Sequence, residues 1–263
     1  VHSEEKDADL LWAEVRQAIS AVPLAKLNSW VLAEIVARFP RPTEGALLLQ
    51  ELLHRLGSLA DMRQRLRSIS EIINCTPRES VELLAEIIQA LGEVCRPDQL
   101  DPGMAQAETR LDRDIDTVAA TFADGDRARA IGAIASRLPL DDLHLWTQLL
   151  QVSDDIQSDR AHADALIAIV QSLEAGQANP VLAVALEKAK SLTTPPDRAR
   201  AIAAVALKHP TRKAREFIRQ ALSSVRVIDD HANQAHALSS AARLLPALSP
   251  HPLWVEVFRR IDS

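Results

Sequence analysis

Apolar residues recur every three or four positions along almost the whole chain, the period that lays one stripe down an α-helix. Leu11, Val15, Ala18, Ile19 and Val22 form the first stripe, with Ala13 and Glu14 on its flank, and Pro23 ends it. The pattern resumes over 24–39 and is stopped by Pro40-Arg41-Pro42. Thr43 is placed to cap a helix over 44–56 that closes at Gly57, and a further stripe covers 61–73. Thr76-Pro77-Arg78-Glu79 offers a capping hydroxyl, a proline at the first helical position and a glutamate at the third, so a helix is predicted from there to about 94. Prolines 97 and 102 mark a linker, followed by a helix over 104–122. From Asp126 on, the predicted helices are 126–138, 141–153, 159–173, 180–192, 197–209, 211–227, 231–245 and 251–261. That makes about 14 helices and no convincing strand.

The helices repeat. Ala128-Arg129-Ala130-Ile131 returns 35 residues later as Ala163-Asp164-Ala165-Leu166, then after 36 as Ala199-Arg200-Ala201-Ile202, and after 36 again as Ala235-His236-Ala237-Leu238. Small residues hold the same two positions and an aliphatic one follows. Asp126-Arg127, Asp159-Arg160 and Asp197-Arg198 put an acid near the positive end of each of these helices. The register reaches back, since 31–40 aligns with 130–139 at three periods of 33, and Leu66, Ile69 and Ile73 fall one period after Leu32, Ile35 and Phe39. A hairpin of this length cannot bury its apolar stripe alone, so neighbours stack. The expected fold is all-α: a right-handed α-solenoid of about seven helical hairpins with a period of ~35 residues. The phase fails near 98, where the prolines lie. The expected organisation is therefore an N-terminal helical stack over 1–95, a linker and seam helix over 96–125, with a kink near 96–103, and a C-terminal repeat stack over 126–263. The last helix carries Trp254, Val257 and Phe258, which need cover.

Composition narrows the choice. Of 263 residues only 7 are Gly and none is Tyr, which disfavours sandwiches and barrels. No two glycines lie closer than seven residues, so neither a dinucleotide nor a phosphate loop of the G-x-G-x-x-G or Walker kind is present. Net charge is −6, against the basic field usual in nucleic-acid binders. It is uneven: residues 1–125 hold 13 Lys or Arg against 21 Asp or Glu, net −8, and residues 126–263 hold 17 against 15, net +2. Cys75 and Cys95 lack CxxC spacing and read as reduced thiols of a cytoplasmic protein. No apolar run approaches the ~18–20 residues of a membrane span, and the N-terminus has no apolar signal region. The first residue, Val1, is not Met, which a fragment of a larger protein would show.

The stretch from Ala221 to Asp230 and on through Ala235-His236-Ala237-Leu238 resembles the degenerate tetratricopeptide- and HEAT-like arrays of bacterial multidomain signalling proteins, some of which are nucleotide switches with a helical sensor. The resemblance covers 126–245 well and 24–74 loosely. The chain departs from the tetratricopeptide signature in having no Tyr, no Leu-Gly at the expected place and Ala where Phe is usual. The resemblance implies a ligand- or protein-binding scaffold and no particular ligand. The period also matches pentatricopeptide RNA-binding repeats, which are usually basic, unlike this chain.

No catalytic constellation stands out. Glu51-Leu52-Leu53-His54 has the ExxH spacing of di-iron bundles, which need a second such motif and two more carboxylates; Asp159-Arg160-Ala161-His162 is its only echo. Asp112, Asp114 and Asp116 mimic the start of a calcium loop without its glycine and final glutamate. Glu79, Glu82 and Glu86 form a row that reads as a solvated helix face. The expectation is no catalytic residue, cofactor or metal. What the repeats expose is more informative. The position before the second Ala gives Trp30, Gln64, Arg129, Asp164, Arg200 and His236, and the position seven later gives Ala37, Glu71, Ser136, Gln171, Leu207 and Arg243. Stacking would align them as a ladder on one curved surface. The expected function is a non-enzymatic scaffold or sensor module that binds a protein or peptide through Arg129, Asp164, Gln171, Arg200, His236 and Arg243, the cations favouring an acidic partner. The alternatives are a helical enzyme with an unrecognised site in the concavity and an RNA-binding repeat array.

Overall fold

A computed structural model describes residues 2–23, 34–36, 42–59, 62–77, 80–95, 110–174, 180–208, 211–225 and 234. These residues are helical, with no strand among them, as the periodicity predicts. The helices are α1 (His2–Ala21), α2 (Pro42–His54) with a 3-10 turn over Arg55–Ser58, α3 (Met62–Cys75), α4 (Val81–Cys95), α5 (Arg110–Ala135), α6 (Leu143–Ser153), α7 (Asp159–Ser172), α8 (Pro180–Ser191), α9 (Pro195–Lys208) and α10 (Thr211–Val225). The helices expected over 24–39, 231–245 and 251–261 lie largely or wholly outside the described residues, and so do Trp254 and Phe258.

Local chemistry sets the ends. Asp142 accepts the Leu145 N–H at 3.1 Å and starts α6. The Ser158 hydroxyl caps α7, and prolines open α2, α8 and α9, where their missing N–H costs nothing. Three expectations need correction. Thr43 does not precede α2 as a cap, because the helix already begins at Pro42. Thr76 does not cap α4. It is buried, and its hydroxyl donates to the Ile72 carbonyl at 2.8 Å, closing the end of α3; α4 starts after Ser80, whose carbonyl accepts Leu84 N–H. A buried hydroxyl takes the nearest unmet acceptor, and the last carbonyls of a helix are unmet. The break expected before Asp126 is also absent, because α5 runs unbroken from Arg110 to Ala135. Gly125 is tolerated inside it, and the bonds of Asp124 to Arg127 and of Asp126 to Arg129, each one turn apart, fasten the stretch. Asp126 therefore sits mid-helix, not at a helix start.

The chain forms two compact units, Val1–Pro139 and Leu140–Ser263. In the first, α1 packs on α2, α2 on α4, and α3 on both α4 and α5. Its core is aliphatic: Leu48, Leu49, Leu52, Leu66, Ile69, Ile73, Leu84, Ile87 and Ile131 are almost fully buried. In the second unit α6 packs on α8 and α7 on α9, with α8 between α7 and α9 and α10 against α9. Trp146, Leu149, Leu166, Ile169, Leu182 and Ile202 fill its core. In both units, then, a helix lies beside the helix two places on in sequence as well as beside its neighbour. Each aliphatic side chain removed from water contributes roughly 1.5–3 kcal/mol.

Alanines sit where α7 and α9 meet, with Ala163, Ala165, Ala199 and Ala201 at 0–1% exposure. Polar ties link helices at a matching sequence distance. In the first unit Arg16 and Ser20 bond Glu51 at 3.2 and 2.5 Å, and Gln50 donates to Glu86 at 2.7 Å. In the second, Lys188 pairs with Asp154, and Arg200 with Asp164 at 2.5 Å. These ties span 31 to 36 residues.

A second device recurs at helix ends. Arg55 donates to the Val22 carbonyl at 2.7 Å, just past α1. Arg137 donates to the Asn74 and Thr76 carbonyls at the end of α3, both at 3.1 Å. Lys208 donates to the Gln171 carbonyl at 2.9 Å and to that of Leu173, at the end of α7. Each time a cation at or beyond the end of a later helix satisfies carbonyls at the end of an earlier one, the end that carries partial negative charge. Among the described residues no helix is long and apolar enough to cross a membrane.

The alanine contact gives a direct test. Ala201→Leu should destabilise by about 1–3 kcal/mol through overpacking. Asp164→Ala, which removes one exposed ion pair, should cost at most about 1 kcal/mol. Denaturant melts of the two variants measure this, and equal losses would reverse the assignment of inside and outside.

Candidate functional site

The small-x-small motif places its middle residue outward. Ala128 and Ala130 are buried while Arg129 is exposed, and Ala163 and Ala165 are buried while Asp164 is exposed. Ala199 and Ala201 are buried, and Arg200 between them keeps 18% of its side chain exposed. Gln171, the position seven on from Asp164, is exposed. His236 and Arg243 lie outside the described residues.

The charges on this row are already engaged. Arg129 pairs with Asp126 and donates to the Gly125 carbonyl at 3.3 Å. Arg200 bonds Asp164 at 2.5 Å and Asp197 at 3.0 Å, and is largely covered by its surroundings. Arg129 belongs to the first unit, whereas Asp164, Gln171 and Arg200 belong to the second. The structure brings the last three together on the paired helices α7 and α9.

The other sequence motifs resolve into structural roles. Glu51 holds Ser20 and Arg16. Its carboxyl lies below the ordinary range, chiefly through the Ser20 hydrogen bond, with burial opposing and Arg16 and Arg55 assisting. The ring Nδ1 of His54 is 2.8 Å from the Gln50 carbonyl and must donate, since a carbonyl only accepts. Asp112, Asp114 and Asp116 fall within the continuous helix α5, not in a loop. No group of three or more His, Cys, Asp or Glu side chains arranged to hold a metal occurs among the described residues. Cys75 is buried and its thiol is pushed up to about 11, by burial first and then by Glu71, so little thiolate forms near neutrality.

Sequence reasoning missed a cavity of about 530 Å³ in the first unit. It is bordered by α2, the 3-10 turn, α3 and α4, with Leu53, Leu56, Ala90 and Val94 as apolar wall and Glu86, Glu93 and Arg65 among its polar groups. Gln50 holds Oε1 of Glu86, while Oε2 is buried with no hydrogen-bond partner. Leaving such an acceptor unmet costs of order 1–3 kcal/mol or more. The row of glutamates was the available signal, but the cavity depends on residues some forty positions apart.

No known protein family, curated protein or solved structure matches the chain.

Asp159 yields the pH prediction. Its Oδ2 accepts the hydroxyls of Thr193 and Thr194 at 2.5 and 2.6 Å and the Thr194 N–H at 2.5 Å. Burial alone would raise its carboxyl, but the threonine hydroxyl and amide bonds together outweigh it, and the net shift is below the ordinary 3.8. The folded state thus holds this proton more weakly than the unfolded chain does. The contribution is fully present above the unfolded value and is lost as pH falls through the depressed folded one. Asp159→Asn should therefore be less stable than the parent at pH 7, with the gap closing below about pH 4. Urea melts across this range decide it, and a gap independent of pH would contradict the role.

Proposed function

We propose that the chain is a right-handed α-solenoid of helical hairpins repeating every ~35 residues, and that it works as a non-enzymatic scaffold or sensor module binding a protein or peptide. The binding row runs over Asp164 and Gln171 on α7 and the neighbouring face of α9. The observation that carries this reading is the alternation at the repeats: two alanines are buried on each of these helices, while the residue between them changes from Arg to Asp to Arg. A surface that keeps its frame and varies its chemistry is how repeat arrays build extended recognition surfaces. The pairing of helices two places apart, and the polar ties over 31 to 36 residues, support the same architecture. Arg200 divides its guanidinium between Asp164 and Asp197, so the reading does not rest on an acidic partner.

Selection of random peptides on the purified chain tests it. Selected peptides should bind saturably, and the double variant Asp164→Arg, Gln171→Arg should weaken them about tenfold or more. Its thermal midpoint should stay within a few degrees of the parent. Peptides that bind both proteins equally, or a selection that yields no saturable binder, would overturn the assignment of this row.

A further inference from the structure

The outward face of α7 carries more than Asp164 and Gln171, and its charges decide what docks there. Arg160, Asp164, Ile167 and Gln171 follow one another at four, three and four residues, which keeps them on one side of the helix over ~16 Å. Arg160, Asp164 and Gln171 are exposed and Ile167 is half-buried, while Leu166 and Ile169 on the opposite side anchor the helix in the core. Two charges of this face are open to a partner. Asp164 gives only Oδ1 to Arg200 and its side chain is 47% exposed. Arg200 keeps 18% and spends Nη1 on Asp197 and Nη2 on Asp164, so the acid of this pair is the member within reach. Arg160 lies one turn before Asp164 and pairs with no acid among the described residues, Asp164 included. A base placed four residues before an acid is the weaker order for a pair within one helix. Arg160 also sits in the first turn of α7, where the helix end is positive and a cation is disfavoured. Arg160 therefore adds nothing to its own helix.

We propose, resting on the peptide-binding reading above, that this face takes a helical segment of a partner protein that carries both signs of charge one turn apart. A lysine or arginine of the segment meets Asp164, an aspartate or glutamate meets Arg160, and an apolar side chain lies on Ile167. Charge complementarity sets the two signs, and the four-residue spacing of Arg160 and Asp164 is matched by the same spacing on a helix laid alongside. A helix satisfies its own backbone groups. An extended peptide would need a sheet edge, and no strand occurs among the described residues. The partner is thus of mixed charge, not the acidic one that the excess of cations over 126–263 suggests.

A library of alanine-based helical peptides, randomised along one face and selected on the full chain, tests this, with affinities read by fluorescence anisotropy. Selected peptides should bind saturably and carry a Lys or Arg four residues from an Asp or Glu, with an apolar residue beside the pair. Arg160→Gln and Asp164→Asn should each weaken them about threefold, as exposed ion pairs do. Arg160→Glu should weaken them about tenfold. Exchanging the peptide's acid for lysine should restore affinity for that variant and lower it for the parent. Arg219→Gln, on α10, should leave binding unchanged. Arg160 and Asp164 are exposed, so the variants keep the fold. Binders of a single charge sign overturn the inference, as do affinities that neither Arg160→Gln nor Asp164→Asn lowers, or a lysine exchange that restores nothing. If such binders still weaken in the Asp164→Arg, Gln171→Arg variant, the binding row stands and only the partner's chemistry falls. A helical library without a saturable binder overturns the inference as well, and the random-peptide selection then decides the row by itself.

Discussion

Close approach of helices at buried alanines is the constraint on which the second unit depends. Ala163, Ala165, Ala199 and Ala201 bury little area themselves, and the favourable transfer comes from the aliphatic residues beside them, Leu166, Ile169, Ile202 and Val205. The alanines set the spacing at which those residues interdigitate. Once α7 and α9 are that close, Asp164 and Arg200 fall within 2.5 Å, and Lys208 reaches the carbonyls of Gln171 and Leu173. A bulkier residue at 201 would strain the core and separate the polar partners as well. These effects are coupled because they share one distance, so substitutions there should not add independently.

The polar ties have a different role from the core. An exposed pair such as Arg16 with Glu51 contributes ~0–1 kcal/mol, and several of them together stay small beside the buried aliphatic surface. Their geometric effect is larger. Arg137 and Lys208 meet carbonyls that have no partner within their own helices, so a slip of one helix along its neighbour would leave those carbonyls unmet. Asp159 does the corresponding work at the other end, holding Thr193 and Thr194 where α9 begins. The ties thereby select one register among the many that an Ala- and Leu-rich interface would tolerate.

Much of this is legible in the sequence, for stated reasons. The 3.6 period and the prolines locate most described helices to within a few residues, and the small-x-small motif separates buried from outward positions at Ala163-Asp164-Ala165 without reference to coordinates. Local rules fail where a distant element competes. Thr76-Pro77 reads as a helix start, yet the unmet carbonyl of Ile72 takes the hydroxyl. Asp124-Gly125-Asp126 reads as a break, yet Arg127, buried and pairing Asp124, keeps the helix continuous and reaches the Met62 sulfur at 3.4 Å. The cavity is invisible to periodicity, because its walls come from separate helices and its one unusual feature, the unpaired oxygen of Glu86, depends on which partner Gln50 chooses.

Charge shows most clearly why position along the chain is a poor guide to the surface field. Residues 126–263 are net +2, but the unit Leu140–Ser263 holds 14 Lys or Arg and 14 Asp or Glu, net zero. The difference is Arg127, Arg129 and Arg137 set against Asp126, all of which belong to the first unit. Of these, Arg127 is buried against Asp124 and Arg137 closes the end of α3, so two of the three cations serve the fold and are not open to a partner. The first unit then holds 16 basic and 22 acidic residues, net −6, the whole formal charge of the chain. That excess gives the first unit a negative field that reaches about one Debye length, ~8–10 Å at ~0.1–0.15 M salt. The second unit, with equal numbers of acidic and basic residues, carries no such excess, so its charges act through local pairs such as Asp164 with Arg200 and Asp154 with Lys188.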